Sequence, residues 1–177
     1  MSMPAPQPTR EATIYHYKLI RKIPMRPETK YSYMTTALLG AGFVTGFYAW
    51  KGLECMAVGL IVMILVHAIV LRITLRRVDA SAGKRWSFRI DWPWIGPLPV
   101  MDTSLGLFRR LHFHLTLVGC CASALLYPWA HPALLISLVY WHFWLLSPRL
   151  TLLMRMRKEK GDGVIRLTET EVSYYHI

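Results

Sequence analysis

Residues 34–77 read MTTALLGAGFVTGFYAWKGLECMAVGLIVMILVHAIVLRITLRR: two apolar runs, a very short turn between them, and a burst of arginine at the end. Residues 34–50 and 53–71 each approach the ~20 residues needed to cross ~30 Å of hydrocarbon. The plan recurs later in the chain, where residues 111–129 and 132–146 form a second pair of apolar runs. The 177 residues are 54% hydrophobic yet carry a formal charge of +11. A soluble domain scatters its charges, whereas here the apolar residues are blocked and the cations lie between the blocks. The pattern predicts an all-α membrane protein of four transmembrane helices in two tandem hairpins. Both termini are expected in the cytoplasm, with short cytoplasmic β-strands after helices two and four.

The cations set the orientation. Of the 21 lysines and arginines, 20 lie in residues 1–33, 72–110 and 149–177, and Lys51 alone sits in an opposite turn. Positive charge stays on the cytoplasmic side of a spanning protein. The predicted location is therefore the plasma or inner cell membrane, multi-pass, with N- and C-termini inside. The first 33 residues lack the apolar core of a secretory signal, so the first spanning helix is expected to act as its own insertion signal.

Five segments follow: a basic arm (1–33), a first hairpin (34–77), a basic Trp/Pro-rich segment (78–110), a second hairpin (111–154) and a basic helix end with a strand (155–177). The arm begins Pro-rich and continues as IYHYKLIRKIP, whose rings and cations suit a headgroup layer better than nucleic acid. Pro27-Glu-Thr is a helix start. Residues 84–91, KRWSFRID, alternate as a strand does. The following WPWIGPLP is too proline-rich for helix or ladder, and Asp102 or Thr103 is placed to cap the next helix. VIRLTETEVSYY near the end reads as one further strand, able to pair with the first into a small sheet.

Gly42 and Gly46 form a small-xxx-small pair, which lets helix backbones approach closely. A gapless shift of 77 residues lays them on Gly119 and Ser123, lays Arg72-Ile-Thr-Leu on Arg149-Leu-Thr-Leu, and lays Arg89 on Arg166. These matches point to a repeated hairpin. Gly42, Gly46, Gly119 and Ser123 are accordingly the predicted helix contacts, and a homo-oligomer is one use for them. Arg72, Arg76, Arg77, Lys84, Arg85, Arg109, Arg110, Arg155, Arg157 and Lys158 are the predicted docking residues for anionic lipid or a partner subunit. Topology alone would account for about half of them.

No acid lies within the spans apart from Glu54 at the outer turn, and no nucleophile–base motif or phosphate-binding loop is present. A non-enzymatic scaffold or accessory subunit of a larger membrane complex is the leading expectation, with no cofactor. Two alternatives stay open. His67, His114 and His142 fall at similar depth from the cytoplasmic cations and could ligate haem b or a transition metal in a redox protein. Thr35, Thr36 and Thr45 could instead line a channel or carrier for an uncoupled solute. The three cysteines (Cys55, Cys120, Cys121) give neither a disulfide framework nor a metal spacing.

The run from Tyr17 through KIPMRPETKYSY, followed at once by a tight apolar hairpin and a basic exit, resembles the TcpE and PrgI-like small inner-membrane components of Gram-positive conjugation machinery. The likeness covers about the first 80 residues. It implies a scaffold that works beside a separate cytoplasmic ATPase in type IV secretion-like DNA transfer.

Overall fold

The structure, a computed structural model, describes residues 18–78, 85–91, 93–168 and 170–176. Along them run β1 (Lys18–Pro24), α1 (Pro27–Val78), β2 (Trp86–Asp91), β3 (Trp94–Pro99), β4 (Thr103–Ser104), α2 (Leu105–Leu125), α3 (Pro132–Arg155), β5 (Val164–Leu167) and β6 (Glu171–His176). This overturns the expected all-α protein of four transmembrane helices in two hairpins. Three helices are present among the described residues, and two of them, α1 and α3, are long and apolar enough to cross a membrane. Arg109, Arg110, His112 and His114 hold α2 below that hydropathy. Among the described residues six strands build two sheets, where two strands able to pair into one small sheet were expected.

Helix α1 opens on Pro27, with Glu28 in its first turn and Arg76 and Arg77 in its last, as the helix dipole favours. Within its 52 residues Ala49 is non-helical, with φ 50° and ψ −139°. The chain reverses there, because a Cβ added at Gly52 would lie 2.6 Å from Val44 O. Only a residue without a side chain lets the returning turn pass so close. The arm before Ala49 runs antiparallel to α3: Tyr33 stacks on Trp144 at 3.9 Å, and Tyr48 meets the ring of His131. The arm after it runs parallel to α3, since Trp141 Nε1 donates to Met56 O at 2.8 Å and Leu71 packs with Leu146. Helix α2 fills the remaining side through Leu111 and Leu115.

Ala49 occupies backbone space that favours glycine, at a cost of about 1–3 kcal/mol. Glycine there relieves that strain and gives back about 0.4–1 kcal/mol of unfolded-state entropy. Ala49→Gly is therefore expected to raise stability by ~1 kcal/mol in a detergent unfolding titration. A lower midpoint would show that the reversal is not strained.

The strands gather at one end of the bundle, where α1 begins and ends, α2 begins and α3 ends. One sheet has the order β1-β6-β5-β4 and the other is the β2–β3 ribbon; both are antiparallel. The basic arm expected at the headgroup layer is strand β1 from Lys18 onward, with Ile23 opposite Val172 and Lys22 Nζ 2.6 Å from Glu171. The C-terminal run makes two strands, because Thr168 turns the chain: its amide donates to Glu171 O at 2.9 Å, and its hydroxyl accepts from Glu171 N. The proline-rich run forms β3 and pairs with β2 (Phe88 opposite Pro97), so the strand after α1 does not reach the C-terminal strands. A two-stranded ribbon tolerates Pro97 and Pro99 because they are two apart, and their missing donors fall on one unpaired edge. Ser104, rather than Asp102 or Thr103, caps α2 by accepting from Leu107 N. Asp102 takes both prongs of Arg166, at 2.7 and 2.8 Å.

Beneath the sheets lies a core of Phe108, Leu105, Met156, Ile165, Val172 and Tyr174. The Tyr174 hydroxyl donates to Lys160 O at 2.8 Å. Burial, reinforced by Glu159 and Asp162, pushes its pKa up and keeps it a neutral donor. The bundle's outer wall is the reverse of a soluble surface. Leu38, Phe43, Phe47, Ile61, Ile69 and Phe113 are all exposed.

Candidate functional site

Helix α3 carries His142 and Arg149 seven residues apart, two turns along one buried face. Their surroundings are apolar, and every polar contact they make can be named. His142 Nε2 lies 3.2 Å from Thr116 O on α2, and His142 Nδ1 lies 2.9 Å from His67 Nε2 on α1. A carbonyl only accepts, so His142 Nε2 carries the proton and its Nδ1 accepts from His67. His142 is neutral in this arrangement, and both its nitrogens are committed. The Nδ1 of His112 donates to Phe108 O at 2.7 Å, and its Nε2 is buried without a partner among the described residues.

Arg149 is 1% exposed. Its Nη2 donates to Ile95 O at 2.7 Å, whereas Nε and Nη1 are buried without partners among the described residues. Strand β3 closes over the guanidinium, and Gly96 makes that approach with φ +111°. A Cβ there would sit 2.9 Å from Arg149 Nη2, and the backbone angle itself favours glycine. No carboxylate pairs with Arg149 among the described residues. An ionisable group at such a position in a membrane-type helix is expensive, and is the first place to look for function.

The predicted residues fall unevenly around this site. His67 and His142 are brought together, but His114 is exposed on the far side of α2 and His112 takes the buried place. Buried positions on α2 recur as Leu105, Phe108, Leu111, His112, Leu115 and Gly119. That spacing singles out His112 and passes over His114. Among the described residues, no set of three His, Cys, Asp or Glu is grouped to hold a metal ion. Of the three threonines, Thr35 and Thr36 donate to Tyr31 O and Tyr33 O on their own helix, and Thr36 also accepts from Trp144 Nε1 at 3.2 Å.

Gly119 faces the ring of His142 and makes an α2–α3 contact, while buried Ser123 donates back to Gly119 O within α2 at 3.0 Å. Gly42 and Gly46 are exposed, with nothing within 4 Å of an added Cβ. Arg72, Arg76, Arg77, Arg85, Arg110, Arg155, Arg157 and Lys158 are exposed at the strand-bearing end and form no ion pairs among the described residues. Arg109 is half-buried and structural, capping the end of α3 through Met156 O and Glu159 O. Lys84 lies outside the described residues. In the sequence Arg149 stands as one of the cytoplasmic cations and as the counterpart of Arg72 in the 77-residue shift.

These features define a helical bundle with two helices long and apolar enough to cross a membrane, capped at one end by two small antiparallel sheets. Comparison of the chain with protein-family models, with curated proteins and with solved structures returns no match.

Proposed function

We propose that this protein is a non-enzymatic integral membrane subunit that docks other components of a larger membrane assembly. The observation that carries the reading is the division of its surface. An exposed apolar wall leads from aromatic residues at one end (Trp50, Tyr127, Trp129) to a ring of exposed cations around the sheets at the other. Aromatic side chains at one boundary and cations at the other are how a bundle sits across a bilayer, with the sheets on the cytoplasmic side. The resemblance of the N-terminal run makes a conjugative, type IV secretion-like apparatus and its ATPase the first assembly to test.

The outward Gly42/Gly46 face supplies the place for a partner helix, since a second backbone can reach it unobstructed. Gly42→Leu with Gly46→Leu is expected to leave the melting temperature of the isolated chain unchanged. The same variant should strip co-purifying membrane proteins recovered from the native host in mild detergent. Recovery of the wild-type chain alone, without stable neighbours, defeats the docking reading.

A further inference from the structure

We infer that the cleft between the β1–α1 elbow and the end of α3 is a binding site for the headgroup of one anionic glycerophospholipid. This rests on the membrane reading above. The cleft measures about 920 Å³, within the ~300–1,000 Å³ of small-molecule sites. Arg26 and Arg155 stand on its lining, and neither forms an ion pair among the described residues. Trp94 and Tyr33 provide an aromatic wall. Because Ser147 to Arg155 is eight residues, the α3 side of the cleft runs ~12 Å along the helix from the cationic end.

The lining also says which headgroup fits. The hydroxyl of Ser147 donates to Trp144 O at 3.0 Å, and that of Thr151 donates to Ser147 O at 2.7 Å. Both hydroxyls have spent their protons on backbone and offer lone pairs to the cleft. Glu28, on the same lining, is a third acceptor. A ligand must therefore bring hydrogen-bond donors to the acceptors and a phosphate to the two arginines. Arg26, Arg155 and Glu28 together carry one net positive charge, so a phosphodiester with a neutral, hydroxyl-bearing headgroup neutralises the site. A zwitterionic ethanolamine headgroup leaves it charged.

The acyl chains have a path out of the cleft. Ser32 and Thr36 line it, and at helical spacing Leu39 and Phe43 follow on the same side of α1, both exposed. A free phosphate has no use for that track.

Native mass spectrometry tests the site on the full chain released from nanodiscs of zwitterionic lipid doped with phosphatidylglycerol. One phosphatidylglycerol per chain is expected to survive detergent stripping. Arg26→Gln with Arg155→Gln should weaken its retention roughly 30-fold, the equivalent of two surface cation contacts. Arg76→Gln with Arg77→Gln removes the same charge elsewhere at that end and should retain the lipid. Equal loss in both pairs, equal retention in both, or equal retention of phosphatidylethanolamine overturns the proposal. Displacement by millimolar inorganic phosphate also overturns it, and identifies a phosphate site instead. A matching melting temperature shows that the Arg26/Arg155 variant is folded. Resistance to alkaline extraction from membranes reports on the membrane reading separately. A chain that stays in the membrane but retains no lipid sinks the cleft alone.

Discussion

Gly119→Val is expected to unfold the bundle near conditions where the wild-type chain is intact, by about 3–5 kcal/mol. The Cβ it adds falls inside the imidazole of His142. That ring cannot swing aside freely, because His67 holds one nitrogen and Thr116 O the other. Overpacking a filled core costs about 1–3 kcal/mol, and breaking a buried hydrogen bond without replacement adds about 1–3 more. For a chain of this size the sum corresponds to a fall of roughly 10 °C in melting temperature. Gly42→Val is the matched control, since the 77-residue shift places Gly42 on Gly119 and nothing lies within 4 Å of its added Cβ. In a helix interior valine is no worse than glycine, so the control should melt within ~0.5 kcal/mol of wild type. Equal melting of the two variants would mean that α2 does not pack on α3 through Gly119.

The same pair of glycines shows where sequence reasoning ran out. The shift matches residue types, and type alone does not say which face a helix turns inward. Gly42 and Arg72 are exposed, while their counterparts Gly119 and Arg149 are buried. Hydropathy and charge were enough to find the apolar runs and the cationic end, because each depends on composition along the chain, and the local preference of proline for a first helical turn marked Pro27. They were not enough to find the sheets. Lys18–Pro24 reads as part of a basic arm, and only the distant Glu171–His176 makes it a strand. WPWIGPLP looked unfit for pairing because proline penalises a central strand, and its partner leaves one edge free. His112 was legible in principle, from the three-to-four spacing of the buried α2 positions. Depth counted from the arginines pointed to His114 instead.

Arg149→Met is expected to melt at or above the wild-type temperature while loosening one end of the molecule. A guanidinium taken out of water loses several kcal/mol of hydration, and among the described residues this one recovers a single hydrogen bond, to Ile95 O. Methionine fills much of the same volume without that desolvation. It leaves Ile95 O unpaired at about 1–3 kcal/mol, which is less than the penalty it removes. Exchanges of buried charge for apolar bulk are commonly neutral or stabilising by about 1–4 kcal/mol, and that range is the expectation for global melting. Arg149→Ala differs in leaving a cavity, and should lose stability by about 2 kcal/mol or more relative to Arg149→Met. The β2–β3 ribbon should respond in the opposite sense to the global melt. Arg149 reaches it through Ile95 O and sits against Gly96, so methionine removes a fastening at the centre of β3. Amide exchange in residues 86–99 should speed up, and trypsin should cut at Arg85 and Arg89 sooner, with α1 and α3 still protected. A melting temperature lowered by more than about 5 °C would show that the guanidinium is compensated in the folded protein, contrary to the argument. A ribbon that stays protected would show that Arg149 does not hold it.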